Sequence, residues 1–274
     1  MSIKTVKRKI LPVMMILALC IGMIGCGSSK QITDREDGSL RKVIAARRIV
    51  IGLDDAYPPM GFRDAKGELV GFDIDMAKEF CKRVGIEPVF KPIVWEDKER
   101  SLNSGEIDCI WNGMSVTPER AEAMNLSESY VKNELIFVVS GDSDVKASRD
   151  LKGKRLGVQG GSSTEDAIRK DSLHRDVHVS VYNSIPTLLG ELKSGRVDAV
   201  LIDSIVAYFC IFNSGETYYV LPDSLAEEEC AIGFRKGDKA LRDKVQSVIS
   251  EMKADGTLAK ISEKWFGTDI TIVK

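Results

Sequence analysis

The sequence predicts an α/β protein built from two similar units, each a mostly parallel sheet covered by helices. Strand-like apolar runs alternate with helix-spaced apolar stripes along almost the whole chain, and the alternation restarts after the apolar run at 132–139. Residues 26–274 are enough for two modest domains with their own cores.

The elements follow in order. Residues 48–53 read as a strand, and Met76, Ala77, Phe80, Cys81 and Val84 form one helical stripe stopped by Gly85. A strand at 87–94, a helix at 98–104 ending before Gly105 and a strand at 107–111 come next, then a helix at 118–124. Asp73 and Asp75 are expected to help start their helix rather than bind metal. After the strand 132–139 and the turn Ser140-Gly141-Asp142, strands are expected at 156–158, 177–182 and 199–202, with helices at 164–170, 185–192 and 204–212. A strand at 231–235 and helices at 239–254 and 258–264 complete the pattern. No repeat of solenoid length is present.

The N-terminus reads as an export signal. Lys4, Lys7, Arg8 and Lys9 precede a mostly apolar run at 10–24, short for a membrane span. Met23-Ile24-Gly25-Cys26 resembles a lipoprotein cleavage box, with residues 1–25 removed, Cys26 lipidated and 26–40 a flexible tether. Removing four positive charges takes the formal net charge from −2 to near −6, which argues against nucleic acid as a partner. Cys81, Cys109, Cys210 and Cys230 are expected to stay free, and no Cys/His spacing suggests a metal.

Ligands of open parallel sheets sit beyond the carboxyl ends of the strands. The residues there are Asp54-Asp55-Ala56-Tyr57, Trp95, Asn112-Gly113-Met114-Ser115, Gln159 to Ser163, and Asp203-Ser204. Arg120 is the anomaly among their neighbours. Thr117 reads as an N-cap, Pro118 as the first helical residue and Glu119 as a first-turn acid, so Arg120 places a cation at the positive end of a helix. It either pairs with Glu119 in solvent or shares an anion with nearby backbone amides. Asp203 is suited to an ammonium, although an aspartate after a strand commonly caps the next helix. Tyr57 and Trp95 are suited to sandwiching a side chain, and Ser163 adds a donor at a helix start. One carboxylate and one ammonium together describe an α-amino acid, whose burial requires opposite charge at both poles.

From Ile49 to Gly267 the chain resembles the family 3 extracytoplasmic solute-binding proteins, the amino-acid receptors of ABC importers. Gly71-Phe72-Asp73-Ile74-Asp75-Met76-Ala77 matches the family fingerprint. The turn at 117–120, Asp198-Ala199-Val200-Leu201-Ile202-Asp203 and Lys264-Trp265-Phe266-Gly267 follow in the family's order. The resemblance implies a two-lobed periplasmic-binding-protein clamp of type II, with lobe 1 at 41–130 plus 232–274, lobe 2 at 131–231, and hinges near 130–134 and 227–231. It implies a ligand carboxylate held by Arg120 with backbone donors near Ser115 and Ser163. The ammonium falls to Asp203, the Gly113 carbonyl and the Ser115 hydroxyl, and the ligand side chain to Asp54, Tyr57, Trp95 and Gln159. It implies no catalytic residue and no cofactor. The expected partners are an amino acid, a permease with its ATPase subunits, and the membrane through the lipid at Cys26, with the chain a monomer on the extracytoplasmic face. Two rival readings are a sensory module and a secreted dehydratase on the same scaffold. The dehydratase would rest on Asp54 or Asp55, since His174 and His178 lie in a charged loop away from the strand ends.

Overall fold

The structure, a computed structural model, describes residues 37–274. The expected leader, Cys26 and most of the tether lie outside the described residues. The first half contains α1 (Ser39–Ala46), β1 (Arg48–Leu53), β2 (Ala56–Tyr57), β3 (Gly61–Arg63), β4 (Leu69–Val70), α2 (Phe72–Val84), β5 (Glu87–Pro92), α3 (Lys98–Asn103), β6 (Cys109–Ile110), α4 (Pro118–Ala123) and β7 (Met124–Leu126). The chain then crosses on β8 (Val131–Ser140) and continues through β9 (Arg155–Gln159), α5 (Ser163–Lys170), β10 (His178–Tyr182), α6 (Ile185–Lys193), β11 (Ala199–Asp203) and α7 (Ser204–Ser214). It returns on β12 (Tyr218–Cys230) to β13 (Gly233–Arg235), α8 (Lys239–Ala254) and α9 (Thr257–Phe266).

Two five-stranded sheets result, ordered β5-β1-β6-β13-β7 and β10-β9-β11-β8-β12. In each, one strand runs against the other four: β13 in the first sheet and β8 in the second. Those are the strands that arrive from the opposite lobe, so they enter their sheets from the reverse direction. The two crossing segments pair with each other, Val131 opposite Cys230 and Glu134 opposite Glu227, which makes a two-stranded ribbon between the lobes.

Three features depart from the sequence reading. The expected tether at 26–40 overruns the fold, because Ser39 begins α1 and its Oγ accepts from Leu241 N at 3.0 Å, while Asp37 accepts from Ala240 N at 2.9 Å. The small antiparallel sheet β2-β3-β4 was not expected, its strands being too short to show a period. Asp73 and Asp75 lie in the first turn of α2 as expected, but their carboxylates reach across the lobe. Asp75 accepts from Lys264 Nζ at 2.6 Å and Trp265 Nε1 at 2.8 Å, which pins α9 to α2 and brings together two motifs nearly 190 residues apart. Gly71 tolerates nothing larger, since a Cβ there would lie 2.2 Å from the Met60 carbonyl oxygen.

Met76, Ala77, Phe80 and Cys81 press α2 onto β1, whose Ile49, Ile51 and Leu53 are fully buried. Trp265 packs edge-on against Phe62, and Phe62 also meets Phe209 of the other lobe at a ring separation of 5.6 Å. The four cysteines of the described residues are free, as expected, and burial pushes the Cys81 thiol up to about 12. No helix among the described residues is long and apolar enough to cross a membrane.

Candidate functional site

Arg120 decides the anion pole. Thr117 caps α4 by accepting from Arg120 N at 3.2 Å, and Pro118 supplies the first turn, so the backbone is fixed as expected. The side chain does not turn to Glu119, whose carboxylate pairs with Lys170 of the other lobe at 2.6 Å. It runs back into the cleft, only 4% exposed, and donates from Nη1 to Ser115 O at 2.9 Å and from Nη2 to Gly161 O at 3.2 Å. A planar guanidinium spanning two carbonyls is already oriented for a carboxylate.

The Gly113 loop beneath it is held from behind. Gly113 adopts φ +58°, and its N–H donates to Asp73 Oδ2 at 2.6 Å. Tyr130, one residue before β8, donates its hydroxyl to the same oxygen at 3.0 Å. Burial pushes Asp73 up to about 7, against the hydrogen bonds from Tyr130 and Gly113. The fingerprint aspartate therefore ties the Gly113 loop to the crossing ribbon.

Asp203 forms the cation pole. It occupies the N-cap position of α7 but makes no capping bond. Oδ2 instead accepts from the Tyr57 hydroxyl at 2.5 Å across the cleft, and Oδ1 accepts from Asn133 Nδ2. Burial raises Asp203 to about 6, Tyr57 and Asn133 pull it down, and Glu228 pushes it further up. A buried carboxylate in this state gains strongly from an approaching ammonium.

The second lobe closes over the first through a short loop. Gln159 Nε2 donates to Asp54 Oδ2 at 2.8 Å. Ser163 Oγ lies 3.1 Å from Ser115 Oγ and donates to Glu228 Oε2 at 2.9 Å. Ser162 caps α5. Gly161, at φ +67°, touches the backbone of Glu96, and a Cβ there would lie 2.7 Å from Glu96 Cα.

Tyr57, Trp95, Gly113, Ser115, Arg120, Gln159, Ser163 and Asp203 line one small, nearly closed cavity, joined by Asn112 and Ser162. Asp54 stands behind this lining. Its carboxylate is occupied by Gln159 and Ala56 N, and burial raises its pKa.

Asp73 is expected from sequence only to start its helix, and three further participants, Lys98, Asn133 and Glu228, are not singled out there at all. Lys98 carried a readable signal, because it is a cation in the first turn of a short helix, the same anomaly that exposed Arg120. Glu228 carried a weaker one: in the run Glu227-Glu228-Glu229 strand alternation turns the middle residue alone inward.

Comparison with known proteins agrees with this geometry. The description of bacterial extracellular solute-binding proteins, family 3, matches residues 49–268. The L-cystine-binding protein TcyJ of Escherichia coli (strain K12) is 33% identical over 273 residues, covering 99% of this chain and 100% of the relative. The structure of Tv2483 bound to L-arginine superposes with a TM-score of 0.84 at 33% identity, over 87% of this chain and 98% of the other. A substrate-binding protein of an ABC uptake transporter from Streptococcus pneumoniae, with bound histidine, gives 0.83 at 36% identity, over 86% and 98%. Fold, motif order and full-length similarity agree: the chain belongs to the bacterial extracellular solute-binding proteins, family 3.

Proposed function

We propose that this chain is a lipid-anchored extracytoplasmic receptor that binds one polar α-amino acid between its lobes and delivers it to an ABC importer. The observation that carries the reading is the placement of a buried guanidinium, Arg120, and a buried carboxylate, Asp203, on the wall of one cavity, contributed by opposite lobes. Relatives whose names specify cystine, arginine or histidine support an amino acid as ligand. Tyr57, Trp95 and Gln159 are the side-chain contacts, with Asp54 acting through Gln159.

The mechanism follows from charge. The ligand carboxylate takes the guanidinium of Arg120 from the Ser115 and Gly161 carbonyls, with the backbone donors near Ser115 and Ser163 beside it. The ammonium meets Asp203, the Gly113 carbonyl and the Ser115 hydroxyl. Each lobe alone offers one opposite charge, so only the closed clamp gains both, and ligand shifts the population toward closure. Residues 130–134 and 227–231 are the hinges, and the lobes they divide are 41–130 with 232–274, and 131–231.

A thermal-shift screen of the common amino acids and cystine tests the reading, because a ligand at 100 times its Kd adds about 2.7 kcal/mol of stability. Arg120→Ala is then expected to weaken the hit by about 100-fold or more in calorimetry, since it removes a charge-assisted pair from a desolvated site. Unchanged affinity removes the assignment. For the anchor, Cys26→Ser is expected to shift the chain from the membrane fraction to the soluble one. A dehydratase would draw on Asp54, whose pKa burial raises, as its acid, and chromatography of amino or carboxylic acids incubated with the pure protein separates it from a receptor.

A further inference from the structure

Lys98 is buried, 5% exposed, and it takes no part in the binding scheme above. Its ammonium donates to Gly161 O at 2.8 Å and reaches Trp95 O at 3.4 Å, and it stands 5.3 Å from the centre of the Trp95 ring. Lys98 and Trp95 belong to one lobe and Gly161 to the other. The same Gly161 oxygen accepts from Arg120 Nη2 at 3.2 Å. Lobe contact therefore gathers two buried cations on one carbonyl, and neither has a protein carboxylate within 4.0 Å among the described residues. Burying like charges together without a counter-charge is unfavourable, and a carbonyl dipole offsets only part of that cost.

We propose that Lys98 is a positioning residue that holds the ligand-free clamp open, making closure depend on the carboxylate that Arg120 receives. The inference rests on the amino-acid reading of the site. With Lys98 and Arg120 forced together, closure without an anion pays a like-charge and desolvation cost. A carboxylate between the lobes cancels that cost. It also frees Gly161 O from Arg120 while Lys98 keeps that oxygen satisfied, so exchange of carbonyl for carboxylate leaves no buried acceptor alone.

The charged surroundings agree. Burial, then Arg120 from α4, lower Lys98 from 10.5 to about 8, while Glu99 on its own helix, Asp166 on α5 and Glu96 on the preceding turn oppose the shift. Glu165 on α5 also faces it. In the open clamp the ammonium is solvated and nearer its ordinary value. Closure then releases protons between about pH 8 and 10.5, and rising pH across that window favours the closed form.

The test needs no amino acid, so its outcome is independent of whether one binds. Small-angle scattering of the purified full-length chain, with any detergent contrast-matched, reports the closed fraction of the ligand-free protein. Lys98→Met is expected to raise the closed-to-open ratio at pH 7 at least threefold and to lack the rise from pH 8 to 10.5 expected of the wild type. Lys98→Arg, which keeps its charge throughout, is expected to stay open and flat with pH. A Lys98→Met protein that closes less than the wild type would make Lys98 a simple latch and overturn the proposal, as would an unchanged ratio or an unchanged pH response.

Discussion

Gly161→Ala isolates what lobe contact contributes to binding. The new Cβ has two separable effects. At φ +67° a side chain is strained by about 1–2 kcal/mol whether the clamp is open or closed. That part cancels from affinity and lowers the melting temperature by roughly 2–8 °C for a chain of this size. The second effect exists only when the lobes meet, because the Cβ then lies 2.7 Å from Glu96 Cα and 3.2 Å from Glu96 N. Carbon atoms in contact sit about 3.5–4.0 Å apart, and the obstacle is backbone, so the loop must retreat by about 1 Å. That stretches the 2.8 Å bond from Lys98 to Gly161 O out of range. Once ligand is bound this bond holds the loop, and losing one hydrogen bond to a charged group costs about 1.5–3 kcal/mol, or roughly 10- to 150-fold in Kd. Calorimetry with the amino acid found by the screen, alongside a melting curve, reads both effects. A lowered melting temperature with affinity within twofold of wild type would show that the 96–161 contact does not accompany binding.

Two further outcomes follow from the buried acids. Binding an ammonium requires ionised Asp203, which burial holds at about 6; affinity is expected to fall about tenfold by pH 5 and to level off above pH 7, and Asp203→Asn is expected to bind weakly at every pH with no such slope in calorimetry. Asp73 at about 7 is raised above its ordinary 3.8, so its stabilising effect is full below pH 3.8 and lost as pH rises through 7; Asp73→Asn is expected to flatten that decline in urea midpoints measured from pH 4 to 7, and an unaltered slope would place the titration elsewhere.

Much of this protein is written locally. The stripe of α2 and its stop at Gly85, the restart of the pattern at residue 132 and the capped turn around Arg120 each depend on neighbours within a few residues, so periodicity and helix-end chemistry reveal them. Eight of the nine residues expected at the site do line one cavity, because strand ends of an open sheet converge whatever the details of packing. The strand Tyr218–Cys230 is not legible in the sequence because its mixed exposure and acidic run show no clean alternation until it is paired with β8.

What sequence could not supply are contacts between residues far apart in the chain. Nothing near Asp73 announces that its carboxylate will hold Gly113 and Tyr130, 40 and 57 positions away. Nothing near Gly161 announces that Lys98 will reach its carbonyl from 63 positions away. Local chemistry determined the elements, the caps and the two charged poles, because these arise from backbone periodicity and adjacent side chains. Tertiary structure alone decided which buried charges share an oxygen and how tightly the lobes meet, because desolvation and close contact exist only after distant segments are packed together.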